Sequence, residues 1–458
     1  MKRLLFVLFI IFIFLSSGCI QKKETNELPK KTIEQTTKQI TNTTIEPEQT
    51  YNKTTDERSV DEKQLETPNS QWLGNLCSDE AECNTFCHDN KGRCKDYCDK
   101  NSENELCQKL GFAKMTGCEN SEVKFDYAPV NLNRTTLLLP LGIMTGGHVT
   151  PTDHHYFQNF SNEEFNIEIY SPGAGDITSI EHMPGATEGE DYRIIIEHTC
   201  SISSIYIHVG ILSEKLKKYA PQNSRYAGVK IPVEAGELIG YYKTNVDYSI
   251  SDTNVVLPGL LVPEHYEPES WKIHTANIYD YFNEQIKSRL IEKSIRTAEP
   301  ISGKIDYDID GKLVGNWFLK DSELDEETPE KYTYWKGHLS IAYDYLDPDR
   351  VVFSIGNYNG KDSEQFGVKE NYPDPSEIGI ENGLVKYELV NYDYITPKGD
   401  PWDRKSLIKD LKTESNDMVQ GTVLVQMIEK RKIKFEVFDG KTASQVSSFT
   451  SNAKIYER

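Results

Sequence analysis

The segment Ile205-Tyr206-Ile207-His208-Val209 is one of several short β-rich runs, and together these runs decide the fold of the central part of this sequence. The others share its apolar, β-branched composition and lie at 137–139, 165–170, 192–197 and 229–233. Glycines punctuate the chain between them. Short alternating runs bounded by turn residues are typical of an all-β domain.

Composition excludes several classes of protein. The 458 residues include 51 Lys plus Arg and 72 Asp plus Glu, which gives a formal net charge of −21. A surface this acidic repels phosphates, and we therefore expect no nucleic-acid binding. Aromatic residues are plentiful, with 26 Tyr, 17 Phe and 5 Trp, so a fully disordered chain is excluded. At roughly 150 residues per domain, the length indicates two or three domains.

The N-terminus predicts an export signal. Lys2 and Arg3 precede an unbroken apolar run from Leu4 to Leu15, which small residues and Cys19 follow. A basic start, a short apolar stretch and small residues are typical of a secretory signal. Small residues directly before a Cys resemble the lipobox of lipoproteins, which implies removal of residues 1–18 and a lipid on Cys19. The alternative is an uncleaved signal anchor with an incidental Cys.

Residues 19–70 predict a disordered tether. They are rich in Thr, Lys, Glu, Gln and Asn and carry almost no aromatic residues. Such a segment cannot bury enough apolar area to offset its ordering entropy. We therefore expect a protein held on the extracytoplasmic face of the cell membrane by its lipid.

Eight further cysteines follow this tether. They lie at Cys77, Cys83, Cys87, Cys94, Cys98, Cys107, Cys118 and Cys200. In an oxidising compartment such an even, dense set predicts disulfides, and two Cys-x3-Cys pairs place their members on one face of a helix. We predict a stapled helical hairpin over residues 71–119 with the nested pairs Cys83–Cys98 and Cys87–Cys94. A structural zinc site on these thiols is the alternative.

Residues 120–270 resemble the lysostaphin-type (LytM-like) zinc peptidases in five ordered pieces. These are Gly147–His154, with a His and an Asp; Ile169–Ile177, with a Pro-Gly turn; Ile194–His198; Tyr206-Ile207-His208; and the hairpin Val233–Gly240. The resemblance implies a β barrel or sandwich hybrid, a single zinc ion and cleavage of cell-wall peptides. Zinc in such sites activates water and polarises the carbonyl while an imidazole moves the proton.

The resemblance also implies roles for individual residues. His148 and Asp153 would hold zinc, with His154 as the other candidate ligand, and His208 would be the catalytic imidazole. His198, at a strand end, is a second candidate for catalysis.

Two departures weaken the zinc site. Four residues separate His148 from Asp153, where the family has three. The family's final His-x-His is replaced by Asn245-Val246-Asp247. Asp247 can ligate zinc, but the second imidazole is missing.

The tail predicts a linking helix over 271–300 and a β-rich domain of unknown function over 301–458. The helix rests on Tyr279, Phe282, Ile286, Leu290 and Ile291, which follow helical spacing. We predict that 303–311 begins the β-rich domain as a strand whose Asp306, Asp308 and Asp310 form a solvated acidic face. Further strands are predicted at 313–318, 338–343, 351–355, 384–390, 421–427, 433–438 and 453–456.

Three functions fit these features. The first is a lipoprotein whose lysostaphin-like domain binds a cell-surface peptide or glycan and has weak or lost peptidase chemistry. The second is an active zinc metalloendopeptidase with unusual ligands. The third is a solute- or partner-binding lipoprotein.

Overall fold

The structure, a computed structural model, describes residues 122–161, 166–183, 190–221, 226–320, 335–358, 360 and 362–458, together with Cys83, Cys94, Tyr97, Cys98 and Cys107. Residues 1–65 and 66–458 form separate units, and the description that follows concerns the second. The predicted signal, Cys19 and the tether therefore lie outside the described residues. No helix within the described ranges is long and apolar enough to cross a bilayer.

The chain is mainly β, as predicted, and its first sheet contains seven antiparallel strands in the order β1-β2-β10-β6-β5-β4-β8. Their bounds are β1 Leu137–Leu139, β2 His155–Gln158, β4 Gly175–His182, β5 Tyr192–Glu197, β6 Ile202–Val209, β8 Tyr226–Val233 and β10 Asn245–Asp252. In β5 the alternation is regular, with Tyr192, Ile194 and Ile196 buried. Every second residue of β5 thus faces the core, as expected for a strand with one buried face.

A second sheet has three strands in the order β3-β9-β7. Their bounds are β3 Ile167–Tyr170, β7 Ile211–Leu212 and β9 Leu238–Tyr242. Ile169 and Tyr242 from this sheet share one hydrophobic core with Ile194 and Tyr206 from the first sheet. The two sheets therefore enclose a single core.

The predicted linking helix is mostly irregular, and only its second half is α-helical. Short 3-10 turns occupy Pro263–His274 and Ile278–Asp280, and helix α1 covers Glu284–Lys293. Asn283 caps α1 by accepting a hydrogen bond from the backbone of Ile286 at 2.9 Å. An N-cap side chain marks the start of a helix. The prediction of a helix is therefore wrong for the residues that precede Asn283.

The C-terminal part is a closed barrel of eight antiparallel strands, β11 to β18 in chain order. Their bounds are β11 Gly315–Leu319, β12 His338–Tyr343, β13 Val351–Ile355, β14 Glu364–Val368, β15 Leu384–Ile395, β16 Lys412–Glu429, β17 Lys432–Asp439 and β18 Lys454–Glu457. Trp317, Phe353 and Val425 are among the buried residues of its core. The prediction that this part of the chain is β-rich is confirmed.

The predicted strand at 303–311 is wrong, because this segment forms an irregular connection before β11. Its three aspartates do not form a solvated face. Asp308 is buried and lies 3.3 Å from the guanidinium of Arg458, while Asp306 and Asp310 pair with Lys304 and Arg431. Each of the three carboxylates is therefore paired with its own cation, and the three do not share one acidic face.

The disulfide prediction is confirmed for bond formation and wrong for one preferred pair. Cys98 is bonded to Cys107, with Cα atoms 5.4 Å apart, so it cannot pair with Cys83. Cys83, Cys94 and Cys200 are also disulfide-bonded. Cys77, Cys87 and Cys118 lie outside the described residues. The nested pairing assumed that the two Cys-x3-Cys faces meet, whereas Cys98 bonds to a cysteine further along the chain.

Candidate functional site

Three neighbouring strands bring the predicted site residues together. Strand β10 lies between β2 and β6, and the register places Asp247 opposite Tyr156 of β2 and Ile207 of β6. His154 directly precedes β2, and His208 follows Ile207. Both imidazoles therefore approach the same carboxylate on β10.

His154 is buried, and both of its ring nitrogens face carboxylates. Nδ1 lies 3.1 Å from Asp153 Oδ1, and Nε2 lies 3.2 Å from Asp247 Oδ2. Burial alone would lower the pKa of His154, but Asp247 and Asp153 outweigh it and raise the pKa above its ordinary value. The ring therefore lies between two carboxylates, and both of them favour its protonated form. The Tyr156 hydroxyl lies 3.0 Å from Nε2 as well.

His208 continues the same arrangement toward solvent, with 42% of its side chain exposed. Its Nδ1 lies 3.0 Å from Asp191 Oδ2, and its Nε2 lies 3.7 Å from Asp247 Oδ2, which is an ion-pair distance. Burial lowers the pKa of His208, but the hydrogen bond to Asp191 and the charge of Asp247 outweigh it, so the pKa is raised. The backbone has φ of 68° here, which is uncommon for a residue other than glycine. Such strain accumulates at functional positions.

We call Asp153, His154, Asp247, His208 and Asp191 the Asp–His row. In it acidic and basic groups alternate from the buried end to the exposed end. The alternation places each imidazole between two carboxylates, and His208 contacts both solvent and Asp247.

Both carboxylate oxygens of Asp247 have polar partners within the site. Asn245 Nδ2 donates to Asp247 Oδ1 at 2.8 Å, and Gln158 Nε2 donates to Asn245 Oδ1 at 2.8 Å. Asn245 and Asp247 are the two residues that the sequence analysis aligned with the His-x-His of the lysostaphin-type peptidases. Here they bind each other and hold Asp247 in place.

His148 lies beside the row and does not interrupt it. Its ring centroid is 5.7 Å from that of His154 and 6.2 Å from that of Trp335, which begins the 3-10 turn before barrel strand β12. Thr145 and His148 close the turn that carries it through two backbone hydrogen bonds. The turn thus places an imidazole between the row and the barrel.

Two charged residues of the site were missed by the sequence analysis. Lys272 and Glu269 come from the 3-10 segment Pro263–His274, and the Lys272 ammonium donates to Thr150 Oγ1 at 3.0 Å. Burial raises the pKa of Glu269, and Asp153 adds to the rise, while Lys272 opposes it. Motif spacing gives no signal for either residue, since the segment has no regular periodicity.

His198 lies at the other end of the β5–β6 pair, so the structure does not bring it together with His208. In the antiparallel pair of β5 and β6, Glu197 lies opposite Ser203, whereas His208 is five residues further along β6. The His198 ring nitrogens lie 2.9 Å from Ala174 O and 2.9 Å from Ser204 Oγ. Burial lowers its pKa to about 4, so it is a neutral structural histidine.

The row does not fit a zinc ion. A histidine ligand needs a deprotonated nitrogen that points at the metal, and both nitrogens of His154 are directed at carboxylates. Within the described ranges, no group of three or more His, Cys, Asp or Glu side chains is arranged to hold a metal ion.

A cavity of about 520 Å³ lies elsewhere, beside helix α1, and is lined by Tyr127, Tyr170 and Arg289 among others. It contains none of the predicted site residues.

Comparison with known proteins adds little. No protein-family model and no curated protein matches this chain. Among solved structures, it is paired with the binding domain of Paraclostridial Mosquitocidal Protein 1, at 9% identity. The pairing covers 71% of this chain and 92% of the other, with a TM-score of 0.14, too low to support a common fold.

Proposed function

We propose that this chain is an extracytoplasmic lipoprotein, anchored through Cys19, whose residues 120–270 are a divergent lysostaphin-type domain that binds its target without cleaving it. The N-terminal sequence supports the anchor. The five ordered motifs support the relationship: the first lies in the irregular segment before β2, and the others lie on β3 to β6, β8 and β9.

The observation that carries the proposal is the position of Asp247. By the resemblance it aligns with a histidine of the family, and its carboxylate accepts from Asn245 Nδ2 and lies 3.2 Å from His154 Nε2. The second imidazole that the family uses is therefore missing. Without a metal, water activation loses its main source of catalytic power.

The proposed target is a peptide or glycan of the cell surface. His208 is partly exposed at the end of the row. On the neighbouring strand β5, Arg193 follows Tyr192, which pairs with Val209, and the Arg193 guanidinium lies 5.0 Å from the Trp271 ring centroid. An aromatic ring with charged neighbours suits both polar peptides and sugars.

The test uses the full chain in detergent. We expect binding to isolated cell-wall or cell-surface polymers and no release of new amino termini from them or from Gly-rich peptides. His208→Ala should weaken binding, whereas His198→Ala, the matched change at the opposite end of β5 and β6, should not. Equal binding by His208→Ala and the native chain would contradict the proposal.

The anchor has a separate test. Cys19→Ala should accumulate as an unprocessed form that carries no lipid. Normal processing of that variant would contradict the lipoprotein assignment.

An active peptidase is the second candidate, and one observation favours it. Four of the residues that the resemblance implies, His148, His154, His208 and Asp247, do lie next to one another. Hydrolysis that requires zinc and is abolished by His208→Ala would establish this function and replace the first.

A further inference from the structure

The cavity beside helix α1 is built from separate parts of the chain and does not include the Asp–His row. Its volume of about 520 Å³ lies within the range of about 300–1,000 Å³ that is typical of small-ligand sites. Tyr127 and Asn133 come from the segment before β1, Tyr170 ends β3, and Arg289 lies on α1. The cavity is therefore a second candidate site of the same domain.

One wall of the cavity is the ring of Tyr127, a residue that is 51% exposed. The ring lies directly against Gly236, where a Cβ atom would overlap it, and Gly236 has φ of 79°. Only glycine accepts this backbone conformation and this close approach without strain. One side of the ring is thus fixed on the protein, and its exposed part can stack on a ligand.

Hydrogen bonds hold the other walls in place. The Tyr206 hydroxyl donates to Tyr170 O at 2.8 Å, and Arg289 Nη2 donates to Asn133 Oδ1 at 3.0 Å. The turn that carries Asn133 is closed by its backbone amide, which donates to Asn131 Oδ1 at 3.2 Å. Walls that are fixed before a ligand arrives reduce the entropy that binding costs.

Several polar groups of the cavity keep hydrogen-bonding capacity for a ligand. In the part of the chain that the structure describes, the hydroxyls of Tyr127 and Tyr170 have no hydrogen-bond partner, and Arg289 forms no ion pair. The bond to Arg289 occupies Oδ1 of Asn133 and leaves its Nδ2 protons to donate. A phenol can donate and accept, while a guanidinium only donates. The cavity therefore offers both donors and acceptors beside an aromatic ring.

The charges of the cavity favour a neutral ligand. Among the residues that line it, Asp126 supplies the carboxylate and Arg289 the guanidinium, so the formal charges cancel. Asp126 Oδ1 accepts from Asn283 Nδ2 at 2.8 Å, which leaves Oδ2 as a further acceptor. An anionic ligand that pairs with Arg289 would be repelled by Asp126. Hydroxyl groups, which donate and accept without charge, suit this set of partners.

We propose that this cavity binds a neutral saccharide, with one face of a sugar ring on Tyr127 and its hydroxyls bonded to Arg289 and Asn133. The inference goes beyond the proposed function, because it assigns a second binding site and one ligand class to it. It does not depend on the Asp–His row.

The test measures binding of three soluble neutral sugars to the full chain in detergent by titration calorimetry. The probes are the trimer of N-acetylglucosamine, mannotriose and maltotriose, and we expect millimolar or tighter binding of one of them. Tyr127→Ala and Arg289→Met should each weaken that binding about tenfold or more, whereas Tyr127→Phe keeps the ring and most of the affinity. Tyr372→Ala removes a tyrosine that is 72% exposed on the barrel and should bind as the native chain does.

Three results would overturn the inference. They are no binding of any probe at millimolar concentration, unchanged binding by both Tyr127→Ala and Arg289→Met, and a Gly-rich peptide that binds through Tyr127 while the sugars do not. Arg289→Met decides the question if Tyr127→Ala unfolds.

His208→Ala separates this inference from the proposed function. If it abolishes binding of the sugars and Tyr127→Ala does not, the sugar lies at the Asp–His row, so the inference fails and the proposed function stands. If Tyr127→Ala abolishes sugar binding and His208→Ala leaves binding to the surface polymers unchanged, the inference stands and the proposed function fails.

Discussion

Asp247 Oδ2 lies 3.2 Å from His154 Nε2, so the carboxylate on β10 faces the imidazole that precedes β2. His208 approaches the same oxygen from β6 at 3.7 Å. One carboxylate oxygen on β10 therefore lies within ion-pair distance of two imidazoles, one beside β2 and one on β6. The expected consequences can be measured one residue at a time.

Asp247→Asn should lower the pKa of both His154 and His208. Asp247 raises both values, and asparagine keeps the size of the side chain while removing its charge. The measurement is a pH titration of the histidine ring signals by NMR. His198, which Asp247 does not influence, is the internal control, and unchanged values for His154 would show that the row is not electrostatically coupled.

His155 should make the fold sensitive to acid. It is completely buried beside Ser302, and burial lowers its pKa to about 3. The unfolded chain binds the proton first, so stability is lost as the pH falls below the unfolded pKa of roughly 6.5, at about 1.4 kcal/mol per pH unit for this group. His155→Gln should remove that slope between pH 6 and pH 4 in urea unfolding.

Ser302→Ala is the control for this prediction. It deletes the hydrogen-bond partner of His155 and keeps the titrating ring, so the acid slope should persist. The same slope in His155→Gln as in the native chain would refute the assignment.

The barrel should depend on one buried ion pair. Asp308 and Arg458 side chains are 2% and 1% exposed, and Arg458 also lies 4.0 Å from the Trp317 ring centroid. Arg458→Met leaves a buried carboxylate unpaired, so we expect a loss of about 3–5 kcal/mol in the free energy of unfolding. Asp308→Asn combined with Arg458→Met should cost less than the single change. Additive costs would indicate that the two groups do not interact.

Peptide mapping without reduction should find Cys98 linked to Cys107. Their sequence separation of 9 closes a short loop, and loss of the bond by Cys98→Ser with Cys107→Ser should destabilise this segment by roughly 2–3 kcal/mol. A peptide that joins Cys98 to Cys83 would contradict the structure.

The residues that sequence could place are those on regular strands. Alternation fixed β5 and β12 to the residue, and the strand-end positions of His208 and Asp247 follow from the motifs around them. Antiparallel pairing decides which strand ends meet, and this is why sequence alone could not show that His198 and His208 lie at opposite ends of β5 and β6. Disulfide pairing could not be chosen, since eight cysteines allow 105 connectivities.

Lys272 and Glu269 were beyond reach for a different reason. They lie on a 3-10 segment without periodicity, more than 100 residues after Asp153 along the chain. Only tertiary packing brings an irregular segment over the sheet, so no spacing rule points to them.

The zinc content of the native chain tests the central claim most directly, with Asn245→His plus Asp247→His as the comparison. After incubation with Zn²⁺ and removal of unbound ions, the native chain should retain far less than one equivalent by elemental analysis. The double variant, which restores two imidazoles on β10, should retain more. One equivalent in the native chain, lost on His154→Ala, would contradict the account.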